Sequence, residues 1–225
     1  MSIALDPYTH PCPGETGKTV HIKHPHTPTP PDSWEDPGAI ATFVPGGMYP
    51  NWLSGIALQK AMASDSDYLR LADTFDFHEP KYHCPAGLNP AAGAVIVEPD
   101  GRVWVVHPTN GWAGYTCTFP KGHAEKSVLR IGAVREAHEE SGLLVEPFGF
   151  LADSKRTETF TRYYLARRVG GTPTAMGWES QAVSLVPLNH VLAQLNRPVD
   201  HAVAKALLER QEEWATWFRD EAEDE

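Results

Sequence analysis

Apolar and polar positions alternate in two distinct rhythms along this chain. In residues 92–106 two dense apolar runs, Ala94-Val95-Ile96-Val97 and Val103-Trp104-Val105-Val106, flank Glu98-Pro99-Asp100-Gly101-Arg102. The Asp-Gly pair suits a tight turn, so this spacing predicts a β-hairpin buried on both faces. Further β-rich runs lie at 148–151, 159–166 and 182–186, and helical periodicity at 128–141, 188–195 and 199–221. The order β, β, α, β, β, β, α, α predicts an α/β (α+β) domain whose mixed sheet packs between helices. Trp214, Trp217 and Phe218 fall on one stripe of the last helix, which predicts docking onto the domain or onto a second copy, a homodimer.

Upstream the rhythm differs. Trp52, Ile56, Leu58, Met62, Leu69 and Leu71 recur at roughly helical spacing, and Ser64-Asp65-Ser66-Asp67 offers a cap, so two short helices are expected within 51–75. Half of the 20 prolines fall in the first fifty residues, where His24-Pro25-His26-Thr27-Pro28-Thr29-Pro30-Pro31 sustains neither helix nor inner strand. These read as an extended, solvated arm. Its histidines, His10, His21, His24 and His26, lack ordered spacing and acidic partners and read as polar tail. The expected division is a Pro-rich N-terminal arm at 1–50, a short helical extension at 51–88, and the main domain at 89–225.

Composition narrows the partners. With 19 basic against 29 acidic residues the formal charge is −10, which gives no global support for gripping a nucleic acid polymer or an anionic membrane. An anionic ligand would need a metal or a local basic patch. The three cysteines, Cys12, Cys84 and Cys117, are odd in number and widely spaced, and read as reduced thiols. No basic leader and no apolar run of about 18 residues is present, so a soluble cytoplasmic protein is expected.

Chemistry concentrates in 119–143. In Arg135-Glu136-Ala137-His138-Glu139-Glu140-Ser141-Gly142-Leu143 the glutamates stand at i, i+3 and i+4 of a helix, so Glu136, Glu139 and Glu140 share a side. Like charges so placed repel, whereas a hard divalent cation wants clustered oxygens of this kind. Ser127 is the expected N-cap and Gly142 the expected stop. Lys155, Arg156, Arg162, Arg167 and Arg168 bring five of the nineteen basic residues into fourteen positions. Arg162 and Tyr164 would share one strand face. Trp112, Tyr115 and Phe160 could sandwich a planar ring or simply pack.

The nine residues from Arg135 resemble the second half of the Nudix box, R-E-U-x-E-E-x-G-U with U aliphatic, at every fixed position. Phe119-Pro120-Lys121-Gly122-His123-Ala124-Glu125 is similar to the family's entry into that box. Gly122 stands thirteen residues before Arg135, where the pattern has fourteen, and Ser127 occupies the place of the box's first Glu unless Glu125 supplies it out of register.

The resemblance implies a Nudix fold and Mg²⁺- or Mn²⁺-dependent hydrolysis of a pyrophosphate bond in a small anionic phosphorylated substrate, by water attack at phosphorus. It implies metal ligation by Glu136, Glu139, Glu140, the Gly122 carbonyl and Glu179 from a later loop. Glu139 or Glu136, or equally a group outside the box, would act as base and Arg135 would orient the carboxylates, while His138 reads as structural, on the far side of the helix. Substrate contacts would come from Lys121, Lys155, Arg156, Arg162 and Tyr164. The segment around Glu179 and Asp200-His201-Ala202 is most similar to the branch acting on dinucleoside polyphosphates and diphosphoinositol polyphosphates, with ADP-ribose-type substrates next. Two alternatives stay open: a catalytically weak or inactive Nudix module that binds a nucleotide as a sensor, and an N-terminal region that mediates assembly.

Overall fold

The computed structural model describes residues 8–125 and 128–224, with side chains described except at 110, 112, 113 and 220–224. Ser127, the Trp112 side chain and the side chains of the closing acidic run lie outside the described residues. In chain order, β1 (Ala41–Phe43) precedes the short hairpin β2 (Trp52–Leu53) and β3 (Ile56–Ala57), and α1 (Asp65–Ala72) follows. Then come β4 (Asn89–Val97), β5 (Arg102–Pro108), β6 (Lys121–His123), α2 (Leu129–Ser141), β7 (Leu143–Lys155), β8 (Thr159–Gly171) and β9 (Ser180–Pro187). The chain closes with the single turn α3 (Val191–Gln194), α4 (Pro198–Glu209) and α5 (Gln211–Asp224).

The main sheet runs β1-β9-β5-β4-β8-β7, with β6 paired to β4. Only the β4/β8 pair is parallel; the sheet is therefore mixed, as expected. Strand alternation explains why the 92–106 hairpin looked apolar throughout. Ala94, Ile96, Trp104 and Val106 face a cluster with Val134 and Ala137 of α2, whereas Val95, Val97, Val103 and Val105 face one with Val203, Ala204 and Leu207 of α4. Helices thus cover both faces. The stripe on α5 docks onto the domain, with Trp217 stacked on Phe148 at 4.2 Å and 8° and Trp214 buried. The expected long helix at 199–221 is divided at Arg210, whose guanidinium reaches the Phe150 carbonyl and Glu213.

The upstream region departs from expectation. Residues 51–75 hold one helix, not two: Ser54 and Gly55, at φ 49° and 76°, turn Trp52–Leu53 back onto Ile56–Ala57 as a hairpin. α1 begins where expected, with Ser64 and Asp67 forming a reciprocal capping box. Nor is the arm solvated throughout. β1 extends the sheet beside β9, and Trp34 is fully buried against Trp104 at 5.9 Å. Arg102 donates to the carbonyls of Ser33 (3.0 Å), Trp34 (2.6 Å) and Asp36 (3.2 Å), giving the proline-rich backbone the partners a sheet would otherwise supply. Trp34, Ala41, Phe43, Leu58, Tyr68 and Leu71 share one buried cluster with Ile96, Trp104 and Val134.

Candidate active site

α2 sets the geometry. It starts from Val128 without a side-chain cap and stops at Gly142, whose φ of 74° is the left-handed conformation a C-terminal glycine supplies. A Cβ on Gly142 would also collide with the Thr172 carbonyl, so the stop and the approach of the next loop depend on the same missing side chain. From this helix Glu136 and Glu140 turn inward, and Glu139 stands exposed beside them.

β6 and a later loop meet the glutamates. The Lys121 N–H donates to Glu140 Oε2 at 2.9 Å, and Gly122 lies so close to the Glu136 carboxylate that a Cβ there would overlap it. On the other side the Gly177 N–H donates to the Glu139 carbonyl at 2.6 Å, fastening the loop that carries Trp178 and Glu179 to the end of α2. Thr109 N–H fixes the Glu179 carbonyl at 2.8 Å. Glu136, Glu139, Glu140 and Glu179 line one cavity of about 420 Å³, so the structure brings together the four glutamates expected as metal ligands, without Glu125.

Their electrostatics follow from crowding. Burial, followed by repulsion from Glu140, Glu139 and Glu179, pushes Glu136 up to about 8, with Lys121 offsetting only part. Burial likewise pushes Glu140 up to about 7, against the pull of Lys121. Glu139 is raised by partial burial, opposed by Arg135. Arg135 itself pairs with Asp65 of α1 at 3.1 Å, a partner supplied from outside the box. Among the described residues no three carboxylate, imidazole or thiol side chains already close on a single point as a bound metal requires. The donor set nevertheless fits a hard divalent cation: all its groups are oxygens, and the carboxylates repel one another in a partly desolvated space that added positive charge would relieve.

Behind Glu140 lies a cationic corner. The Tyr115 ring has Lys121 Nζ at 5.6 Å and the guanidinium carbons of Arg156 and Arg197 at 5.6 and 5.1 Å. Arg156 also donates to Tyr115 Oη at 2.8 Å and Tyr163 Oη at 2.6 Å and pairs with the buried Asp200. Arg156 and Lys121 both draw Glu140 downward, which places this corner within electrostatic reach of the glutamates.

Other expected contacts are not brought there. Arg162 is buried and engaged by Asp153 through two 2.8 Å bonds, by Glu79 at 3.1 Å and by the Pro80 carbonyl at 2.7 Å, between the rings of Tyr82 and Phe150. Tyr164 Oη donates to Glu79 Oε2 at 2.9 Å. Residues 77–82 cover this strand face, so Arg162 and Tyr164 are corrected from substrate contacts to anchors of that segment. Lys155 is exposed at the end of β7 and does not line the cavity. Phe160 packs on Tyr82 at 5.5 Å. Arg167 pairs with Glu146 at 2.9 Å, and Arg168 is buried against Glu98 at 2.6 Å.

Sequence reasoning missed four residues. His138, expected on the far side of α2, lines the cavity in a 2.8 Å hydrogen bond between its Nδ1 and Tyr68 Oη, and burial holds its pKa below the ordinary imidazole value. Trp178 lines the same cavity, and Arg197 completes the cationic corner. For Tyr68 a signal existed: the Ser64-x-x-Asp67 box opens a helix in which Tyr68, Leu71 and Ala72 stand at i, i+3 and i+4, the buried stripe.

The NUDIX domain model matches residues 87–218. An RNA pyrophosphohydrolase of Caulobacter vibrioides is 35% identical over 95 residues, 41% of this chain and 52% of that protein. The chain thus spans about half the length of the curated relatives it matches. Among solved structures, a NUDIX hydrolase from Nitrosomonas europaea shares 22% identity at a TM-score of 0.48, over 57% of this chain and 74% of that one. A C. elegans Ap4A hydrolase shares 16% identity at a TM-score of 0.46, over 56% and 98%. The domain match covers more than half the chain and contains both the glycine loop and the glutamate helix that build the cavity, so this chain belongs to the NUDIX family.

Proposed function

We propose that this protein hydrolyses a phosphoanhydride bond in a small phosphorylated molecule with the help of Mg²⁺ or Mn²⁺. The observation that carries the reading is the convergence of Glu136, Glu139, Glu140 and Glu179 in one cavity, with charge that Lys121 and Arg135 only partly offset. These carboxylates and the Gly122 carbonyl would hold the cation, which when bound neutralises phosphate charge and lowers the pKa of water. Glu139, the exposed glutamate of α2, would take the proton of an attacking water at a carboxylate oxygen. Lys121 and Arg197 beside Tyr115 would orient the phosphates next to Glu140, while Arg156, already paired with buried Asp200, would hold the Tyr115 ring in place rather than touch substrate. Arg135 keeps the outer edge of the helix oriented through Asp65.

Dinucleoside polyphosphates and diphosphoinositol polyphosphates are the first substrates to try, with ADP-ribose next, because the cationic corner suits a dense anion. The relative's name adds RNA to the panel, although a net charge of −10 favours a small molecule over a polymer. Residues 89–225 would carry the chemistry. The three free thiols support a reducing, cytoplasmic setting, and no helix among the described residues is long and apolar enough to cross a membrane.

The test is a substrate panel assayed with each metal. Glu139→Gln and Glu140→Gln should each lower turnover roughly 100- to 1000-fold, the scale of several kcal/mol of charge stabilisation. Full activity in both variants would overturn the reading, and tight nucleotide binding without turnover in the parent would favour a sensor.

A further inference from the structure

The catalytic cavity has a wall that the family domain does not supply. Lys60, Met62 and Tyr68 line it together with the glutamates and Trp178, yet all three precede residue 87, where the domain match begins. This wall is fixed at both ends. On one side Leu58 is buried and Gln59 bridges to Gly171 at the end of β8. On the other, the Ser64/Asp67 capping box starts α1, Tyr68 and Leu71 enter the core, Tyr68 meets His138 at 2.8 Å and Asp65 meets Arg135 at 3.1 Å. Between these anchors residues 60–63 cross the edge of the cavity.

What this crossing presents is chemically specific. Met62 is 85% exposed, the most exposed large apolar side chain described. Among the described residues no hydrogen bond or ion pair holds the Lys60 ammonium. A cation and a pliable apolar side chain thus stand unspent on one rim, and the half-buried indole of Trp178 lines the same space. The opposite lip also leans on upstream sequence: Gly14 lies close enough to Trp178 that a Cβ would touch its ring at 3.6 Å. A cavity of about 420 Å³ falls within the range of small-molecule sites, roughly 300–1,000 Å³.

We propose that residues 60–68 form the specificity wall of the active site, with Lys60 contacting a phosphate of a nucleoside diphosphate moiety and Met62 and Trp178 contacting its planar base. The inference rests on reading the glutamates as the hydrolytic centre. The chemistry of each group supports its role: an ammonium binds phosphate as a point charge, and a thioether and an indole give broad contact to a flat ring.

Calorimetric titration of the full chain with α,β-methylene-ADP and Mg²⁺ tests it, since this probe binds without being cleaved at its bridge. Lys60→Glu should weaken binding about tenfold or more, and Met62→Ser about threefold, as expected for losing one charge-assisted contact and one apolar contact. Lys205→Glu, the same charge change on an exposed position of α4, should leave the affinity unchanged. Parent affinity in both wall variants, or no binding by the parent, overturns the proposal. The two readings fail separately. Binding that depends on Lys60 without turnover of any panel substrate retires hydrolysis and keeps the wall, whereas turnover with an unaltered KM in Lys60→Glu retires the wall and keeps hydrolysis.

Discussion

Two regions of this molecule gather charged side chains in half-buried space, and they do so in opposite ways. Around Glu79 the charges are paired: Arg130 at 2.8 Å, Arg162 at 3.1 Å and the Tyr164 hydroxyl at 2.9 Å all converge on one carboxylate, and Asp153 takes the other edge of Arg162. Around Glu136 the charges are alike, and burial plus mutual repulsion lift two carboxylates to about 8 and about 7. The first arrangement satisfies its own groups and fastens residues 77–82 over β8. The second is under-compensated, a state a fold tolerates where an incoming ligand completes it. Basic residues near the β7–β8 turn therefore divide by whether their charge is already spent, which their number along the chain does not reveal.

The sharpest break of this contrast is to remove one carboxylate from each region. Glu79→Ala takes the shared carboxylate from Arg130 and the Tyr164 hydroxyl and leaves Arg162 with Asp153 and the Pro80 carbonyl alone, so it should cost about 2 kcal/mol, lowering the melting temperature by roughly 4–8 °C. Glu136→Gln should do the reverse in metal-free buffer, raising stability by roughly 1–2 kcal/mol while abolishing turnover, as neutralising a strained functional group does. Thermal denaturation of both variants with EDTA reads both signs.

A smaller effect comes from pH. Glu136 at about 8 in the folded chain, against 4.5 unfolded, keeps its proton on folding, so its contribution is full below 4.5 and is lost as pH rises through 8. His107, buried and lowered to about 4, works the other way and costs stability only below about 6.5. Metal-free protein should therefore lose about 1–2 kcal/mol between pH 6.5 and 8. Denaturant melts across that window should show a shallower profile in Glu136→Gln, where Glu140 at about 7 still titrates, and excess Mg²⁺ should flatten the parent. The smallest effect is expected from Arg197→Ala, which trims the cationic corner at a half-exposed position and should raise KM about threefold with little change in kcat.

Much of the domain was legible in the sequence because its signals are local. The Asp-Gly turn, the two-faced apolar runs, the i, i+3, i+4 glutamates and the glycine stop of α2 each depend on neighbours within one element. The wall and the arm were not legible, because their partners are remote. Trp34 reads as a lone aromatic among prolines until Arg102, 68 residues later, collects the carbonyls around it. Ala41-Thr42-Phe43-Val44 was a β-prone run that could have marked β1, but at three paired residues its strand is too short to stand out from the prolines around it. His138 was misplaced because helix periodicity assigns a side and not what packs there; α1 brings Tyr68 to it. Arg162 and Tyr164 were correctly placed on one strand face, and only the covering by residues 77–82 changed their role.

Arg102 and its clasp on Ser33, Trp34 and Asp36 also bear on what counts as a unit. The segment recognisable by descent begins at residue 87, while the apolar interior that makes it a solid object draws Trp34, Phe43 and Leu58 from before that point. Heredity and cooperativity therefore draw different borders through this chain, and the upstream residues are less an appendage to a shared module than the piece that makes this copy of it particular.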